Sequence, residues 1–301
     1  VRIIIQKEKN YPLVCLMIVL FLVIAVTGSI QNHISTELLF RRMEANGVNY
    51  DAYRELKLSE DILALSEAAA QRLQARQPEL KRLGLINPIQ YLTFQLFIRD
   101  FDLYDHRPID SSVYLKGIGR LCTRQGYQKL YQYNKAIFSD LKCFPVPLLK
   151  QAKKDISYEN SWSEPRSYGG KRRHEGTDIM AGNNIRGYYP ILSITDGIVE
   201  KKGWLEQGGY RIGIRSPSGG YFYYAHLASY AQNIEIGDKV TAGQLLGYMG
   251  DSGYGSEGTV GRFDVHLHLG IYVNTDSGEM SVNPYYILKI LEQQRTVFVS
   301  E

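Results

Sequence analysis

The run FDVHLHLGIYV, residues 263–273, alternates apolar side chains with other types from end to end. Extended backbone gives such a pattern a use, because successive side chains of a strand point to opposite faces. The alternation predicts a strand that turns Phe263, Val265, Leu267, Leu269 and Ile271 toward a core. Asp264, His266, His268, Gly270 and Tyr272 would then share the other face. Two histidines two residues apart on one face can aim ring nitrogens at one point. Taken alone they fit a solvent-facing surface equally well.

The surrounding sequence has the same texture. SITDGIVEKKGW, YRIGIRS, GGYFYYAHL and QLLGYMGDSG are short β-branched and aromatic runs separated by glycine turns. They predict an all-β domain from about Ser157 onward. Of the chain's 28 glycines, 22 lie after residue 150, as do four of its six histidines, His174, His226, His266 and His268. Charge divides at the same place. Residues 1–150 hold 20 Lys+Arg against 14 Asp+Glu, and residues 151–301 hold 15 against 17. A weakly acidic C-terminal half argues against nucleic acid as a partner, and a net charge of +4 is too small to name an acidic one. With 44% hydrophobic and 22% charged residues, wholesale disorder is excluded.

Residues Pro12 to Ile30 carry no charged side chain, and about twenty such residues span a ~30 Å hydrocarbon layer as a helix. Arg2, Lys7 and Lys9 precede the run, offset only by Glu8; after it Arg41 and Arg42 are balanced by Glu37 and Glu44. The excess of cations before the span predicts a cytoplasmic N-terminus (1–11), a single transmembrane signal anchor (12–30) and an extracytoplasmic remainder. A signal peptide cleaved near Ala25-Val26-Thr27 or Thr27-Gly28-Ser29 is the competing reading, although the run exceeds the usual 7–15-residue signal core. A buried core helix is the third.

Residues 31–150 read as a helical region. Ser35 or Thr36 suits the start of a short helix ending at Gly47. Ser59 precedes Glu60 and Asp61 at the start of SEDILALSEAAAQRLQAR, which Pro78 interrupts, and Asn87-Pro88 is a cap and first-turn pair for IQYLTFQLFIRDF. GYQKLYQYNKAIFSDL gives a further helix, and Phe144-Pro145-Val146-Pro147 marks the start of a linker. His33 and His106 read as exposed loop histidines, and the role of the region is not legible. Cys122 and Cys143 could close a loop of about twenty residues, worth roughly 3 kcal/mol as a disulfide, or stay as free thiols.

KRRHEGTDIM places His174 and Asp178 four residues apart, and the flanking glycines put them on a loop. The spacing is not that of HExxH, because Asp178 stands where the second histidine would be. With His266 and His268 about ninety residues later and His226 closing YYAHL between them, the set suits a divalent metal. Zinc takes imidazole nitrogen and carboxylate oxygen in a tetrahedron, and a catalytic site leaves the fourth position to water. His174, Asp178 and one of the HLH pair supply three ligands and leave two histidines over. Water on such a metal has its pKa drawn toward ~7, and the spare histidines suit proton transfer and oxyanion stabilisation. A closed structural site would normally use cysteine, and residues 151–301 contain none.

Taken together, HEGTD (174–178), TDGIVEKKGW (195–204), YFYYAHLASY (221–230), IGDKVTAGQLLGYMGDSG (236–253) and HLHLGI (266–271) resemble the lysostaphin/LytM-type zinc metallopeptidases, which cut peptide bonds in peptidoglycan. The likeness covers residues 165–290 or thereabouts. It implies a groove of antiparallel sheets similar to the duplicated hybrid motif, within a domain spanning 151–301. It implies zinc on His174, Asp178 and His268, with His226 and His266 as catalytic histidines. Tyr168, six residues before His174, stands near the place of a groove tyrosine that donates to the oxyanion; a turn aromatic is the alternative. Asp264 and Tyr272 share the HLH face as supporting partners of the ligands. Asn160, Asn183 and Asn184 are candidates for an occluding fourth ligand.

The sequence departs from the family pattern in three places. Leu269 and Gly270 follow HLH where an aromatic residue is common, a nearby acidic residue is missing, and DSGYGSEGTVGRFDV is longer than the usual glycine turn. These bear on cleavage specificity. The resemblance implies a membrane-anchored zinc endopeptidase acting on peptidoglycan stems or cross-bridges. A non-catalytic scaffold or activator that binds wall or a partner protein through the same groove is the alternative, disfavoured because all five positions are intact. The 23 tyrosines would also suit a carbohydrate-binding module, which leaves the histidines unexplained.

Overall fold

The computed structural model describes residues 11–46, 48–105, 108–150 and 154–298. Arg2, Lys7, Glu8 and Lys9 lie outside the described residues, as do His106 and the side chains of His33, Ser35, Thr36, Arg42 and Glu44. The chain divides into two units at Gly47/Val48.

The first unit is helix α1 (Tyr11–Asn46). Its segment Val14–Gln31 has a mean hydropathy of 2.5 and buries none of its surface, so it is not a core helix of its own unit. It is long and apolar enough to cross a membrane. The separate short helix expected up to Gly47 is instead the continuation of α1. No proline lies between Ile30 and Asn46 to stop it.

The second unit begins with helices α2 (Tyr50–Glu55), α3 (Ile62–Arg76), α4 (Pro78–Arg82), α5 (Pro88–Ile98), α6 (Ser111–Leu121) and α7 (Gln125–Phe138). Strands β1 (Lys57–Leu58) and β2 (Asp102–Leu103) form a short parallel pair among them. Asn87 caps α5 as its sequence suggests, its Oδ1 accepting from the Gln90 amide at 2.8 Å, with Pro88 in the first turn. The Ser59 cap does not form. Asp61 holds the cap position of α3 without a side-chain bond, and the Ser59 hydroxyl is buried and unpartnered. Helix α5 is buried from Gln90 through Leu96, and its polar residues are tied internally. Gln95 donates to Ser66 Oγ at 3.0 Å, and Asn134 donates to Thr93 Oγ1 at 3.0 Å and accepts from Tyr53 Oη at 3.2 Å. Cys122 and Cys143 are both free; Cys143 is buried, with Sγ against Ser193 O.

The β part comprises β3 (Ser157–Tyr158), β4 (Pro165–Arg166), β5 (Arg172–Arg173), β6 (Thr177–Met180), β7 (Pro190–Leu192), β8 (Gly197–Leu205), β9 (Gly209–Arg215), β10 (Tyr221–Tyr230), β11 (Lys239–Val240), β12 (Leu245–Met249), β13 (His266–Thr275) and β14 (Gly278–Val282), followed by helix α8 (Tyr285–Glu292). Ten of these strands form an antiparallel sheet ordered β11-β8-β9-β10-β13-β6-β3, with β12 on β10 and β7, and β14 on β13. The predicted all-β C-terminal half preceded by helices is the observed architecture.

Helices and sheet share one core. Leu130 and Ile137 of α7 and Tyr53 of α2 belong to the same buried cluster as Phe222, Leu269 and Ile271. Each such side chain contributes roughly 1.5–3 kcal/mol by leaving water. Helix α7 comes so close to the turn before β10 that a Cβ on Gly220 would run into the Ala136 carbonyl. The Pro-rich stretch taken as a linker is part of this core: Phe144 and Val146 are fully buried, and Pro145 O accepts from the Leu192 amide at 2.8 Å. Apolar spacing between the prolines gave no sign of burial, because the partners lie far along the chain.

Candidate metal centre

Strands β6 and β13 run antiparallel with Asp178 directly opposite His268 and Met180 opposite His266. Opposed residues on one face hold their Cβ atoms roughly 4.5–5.5 Å apart, so the register alone brings the carboxylate to the imidazole. His174 is delivered by the β4–β5 hairpin. Its amide donates to Glu164 O at 2.9 Å, and its carbonyl accepts from Ser163 N at 2.8 Å. The loop from His174 to Asp178 folds back at Gly176, where a Cβ would strike the His268 ring and stand 2.7 Å from Leu269 O.

Three ligand atoms meet there. His268 Nδ1 lies 2.9 Å from Asp178 Oδ1, His174 Nε2 lies 3.1 Å from the same oxygen, and the two nitrogens are 3.0 Å apart. A tetrahedral zinc with bonds of roughly 2.0–2.1 Å separates its ligand atoms by roughly 3.3 Å, so this triangle fits a metal after a shift of a few tenths of an ångström. His174 is nearly fully buried, with Nδ1 3.0 Å from Ser161 O. Arg166 Nη2 also lies 2.9 Å from Nδ1, and Nε2 faces the cluster. Arg166 holds the other carboxylate oxygen, Nη2 to Asp178 Oδ2 at 2.8 Å, and leaves Oδ1 to the cluster. Burial alone would raise the Asp178 carboxyl. Hydrogen bonds from His174 and His268, and the attraction of His268 and His266, outweigh it and hold the carboxyl far below the usual range. Burial lowers the His268 pKa against the pull of Asp178.

The two remaining histidines stand beside the cluster. His226 and His266 have ring centroids 4.7 Å apart, and His266 Nε2 is 3.8 Å from Asp178 Oδ1. Each points Nδ1 at a backbone carbonyl, His226 at Ser252 O (2.8 Å) and His266 at Asp264 O (2.7 Å), the contact that in a neutral ring puts the proton on Nδ1 and the lone pair on Nε2. His226 sits at φ 62° in an irregularity of β10 that shifts the pairing register between Tyr224 and Leu227. Bulges of this kind re-aim a side chain next to a site. Burial lowers the His226 pKa well below the ordinary imidazole value, and the neighbouring histidines add to it. The cluster opens onto a groove of about 950 Å³ whose walls include Tyr221, Tyr223 and Tyr272.

The sequence profile of peptidase family M23 matches residues 172–284, the segment that carries all five side chains. A crystal structure from Ruminococcus gnavus, named for a glycyl-glycine endopeptidase lytM, is 43% identical, has a TM-score of 0.70, and is covered over 99% of its length by 87% of this chain. The chain belongs to peptidase family M23. The L-Ala–D-Glu endopeptidase of Bacillus subtilis (strain 168) is 41% identical over 167 residues, 56% of this chain and 49% of that enzyme. Lysostaphin of Staphylococcus simulans is 33% identical over 118 residues, 38% of this chain and 21% of that one. The chain thus spans about half the length of the Bacillus enzyme and less of lysostaphin. The Ruminococcus match takes in more of the chain than the β half contains, so part of the helical region has a counterpart in that structure.

Against this M23 frame the expected site residues fall into two groups. His174, Asp178, His268, His226 and His266 come together. Tyr168 lies farther out, stacked on Tyr254 at 4.2 Å with its hydroxyl donating to Glu206 at 3.3 Å. Asp264 turns away to accept from Asn184, and Asn160 and Asn183 are likewise engaged elsewhere, with Asn283 and Ile185. Phe263 corrects the alternation. Regular pairing starts only at His266, and the Phe263 ring leaves the core to lie 4.6 Å from His226 and 5.0 Å from His266. Arg166 and Gly176 were not predicted. Only the tight HEGTD loop hinted that Gly176 passes close to a neighbour.

Proposed function

We propose that this M23 protein is a membrane-anchored zinc endopeptidase that hydrolyses peptide bonds of peptidoglycan stems or cross-bridges. The observation that carries the reading is the convergence of His174 Nε2, Asp178 Oδ1 and His268 Nδ1 within a few ångströms, with two further imidazoles alongside. A bound zinc would polarise the scissile carbonyl and make water a competent nucleophile near neutral pH. His226 and His266 suit accepting the attacking water's proton, donating to the departing amine and bonding to the developing oxyanion. Their fixed Nδ1–carbonyl bonds hold the rings in position and so lower the reorganisation needed during reaction. The relatives' names supply candidate bonds, L-Ala–D-Glu and Gly–Gly.

Helix α1 supports anchoring, with the second unit on the extracytoplasmic side, which would confine hydrolysis to wall close to the membrane. The domain reading is an anchor at 12–30 followed by a peptidase domain within 151–301. The presence of both spare histidines favours an enzyme over a wall-binding scaffold. The test uses the full chain in detergent, incubated with cross-linked muropeptides with and without chelator, beside His226→Ala and His268→Ala. Mass spectrometry should find cleavage only with metal and both histidines, and should identify the bond. Equal products in all samples would sink the reading.

A further inference from the structure

Most charges along the groove are already spent. Arg166 is committed to Asp178, Arg173 to Ser163, and Lys201 faces Glu279 at 3.9 Å. Arg172 and Arg211 differ. Arg172 Nε, and Arg211 Nε and Nη1, are buried with no hydrogen-bond partner, and neither side chain has an ion pair among the described residues. Buried donors, charged ones above all, are nearly always satisfied, and a set left open against a groove marks the place of a missing acceptor.

Their position relative to the metal centre follows from the sheet. On β13 His268 and Tyr272 share a face with Tyr221 and Tyr223 of β10 and Arg211 of β9, since Tyr223 pairs with Gly270 and with Gly213. Gly213, beside Arg211 on that face, makes room for the Tyr221 ring, which a Cβ there would strike. Arg211 is thus two strands from His268, roughly 10 Å at about 4.8 Å per strand. Arg172 lies on β5, two residues before His174. Tyr223 feels both: burial pushes its hydroxyl up to about 12, and both guanidiniums pull the other way. Arg172 and Arg211 line the same groove as His174, His226, His266 and His268.

The geometry points to a carboxylate-binding subsite: Arg172 and Arg211 receive the free carboxylate of an acidic residue at or next to the scissile bond. Guanidinium and carboxylate match in shape as well as charge, which a neutral side chain cannot reproduce. The inference rests on the peptidase reading for the position of the scissile bond, so its test reads binding apart from turnover.

The probes are acetyl-L-Ala-D-Glu-methylamide and its D-Gln counterpart, which differ only in the carboxylate. Binding of each to the full chain in detergent is measured by calorimetry, and hydrolysis by mass spectrometry. The acid should bind about tenfold or more tighter than the amide. Arg211→Met and Arg172→Met should each remove most of that preference while leaving the amide's affinity in place. Equal binding of acid and amide by the unaltered chain overturns the subsite, as does a preference that survives in both folded variants. If a methionine variant fails to fold, the acid-to-amide ratio of the unaltered chain and of Arg211→Lys decides. Selective binding without hydrolysis would sink the peptidase reading and keep the subsite; hydrolysis with no discrimination would do the reverse.

Discussion

Arg54 Nη2 lies 2.6 Å from Glu175 Oε1, and so a helix residue 121 positions upstream holds the residue next to His174. The same guanidinium donates from Nε to Ser281 O at 3.1 Å and from Nη2 to Ser281 Oγ at 2.8 Å, while Arg54 O accepts from the Asn283 amide. Arg54 therefore pins α2 to both β14 and the loop that presents His174. The ion pair itself is half-exposed and worth no more than about 1 kcal/mol. Arg54→Met also loses the Ser281 bonds. It should lower Tm by several degrees and weaken zinc binding, while Glu175→Gln should do less of each. Calorimetric unfolding and zinc titration of both single variants and the double variant would check this. A coupling of zero between Arg54 and Glu175 would show that the pair is incidental.

The shared core predicts where the chain can be cut. A fragment 151–301 keeps every candidate ligand but strips α7 and α2 from the sheet and exposes Phe222 and Ile271, along with the neighbours of Phe144. A fragment 48–301 leaves the core whole. The longer fragment should unfold cooperatively, and the shorter should aggregate or melt at much lower temperature, as read by circular dichroism and light scattering. Comparable Tm values would refute the shared-core account.

How far the site was legible depends on the range of the determining contacts. His266 and His268 were read from a two-residue period, and Asp178 from its four-residue distance to His174; both are local signals. Arg166, by contrast, reaches Asp178 from a hairpin in which Pro165 pairs with Arg173. Phe263 obeys the alternation on paper and escapes it because ladder pairing with β6 begins three residues later. The helical region was read as a succession of helices, and its docking was invisible. Gly220 against Ala136 and Arg54 against Ser281 join positions 84 and 227 apart, with no periodicity to announce them.

Gly176 offers a steric test of the metal loop. A methyl group there meets the His268 ring, which can turn away, and the Leu269 carbonyl, which cannot. Gly176→Ala should fold, since the clash is confined to one strand edge, but it should displace His268 Nδ1 from Asp178. We expect at least about a tenfold loss in zinc affinity, the size seen when a ligand loses its support. Zinc titration of the purified variant would show it, and unchanged affinity would mean that the loop shifts as a body.

Away from the groove, Asp155 and Arg295 form a two-pronged pair, with Nη1–Oδ2 and Nη2–Oδ1 both at 2.6 Å. The Arg295 hydrogen bonds hold the Asp155 carboxyl below its usual value. A depressed carboxyl stabilises the fold at pH above its unfolded pKa of about 3.9, and that contribution disappears as pH falls through the folded pKa. Arg295→Met should therefore flatten part of the acid limb of stability against pH, below about pH 4, with a smaller effect on the slope at pH 7. Denaturant titrations across pH 2.5–7 would measure it, and parallel curves would exclude the pair as a contributor.

His226 allows chemistry and backbone to be separated. Its φ of 62° lies in the left-handed region, where asparagine and glycine are tolerated and β-branched residues are not. If the bulge exists to aim the imidazole, removing the ring should end turnover whatever replaces it, while stability should follow backbone preference. His226→Asn and His226→Gly should keep a Tm near that of the unaltered chain, His226→Ala should fall by about 1 kcal/mol, and His226→Val should fall further. Zinc affinity should change little across the series, because His226 is not among the three clustered ligand atoms. Thermal melts, zinc titrations and muropeptide cleavage on the four variants would test all three expectations together. Turnover retained in His226→Asn would remove His226 from the proton-transfer role, and a stability order that ignores φ would remove the strain argument.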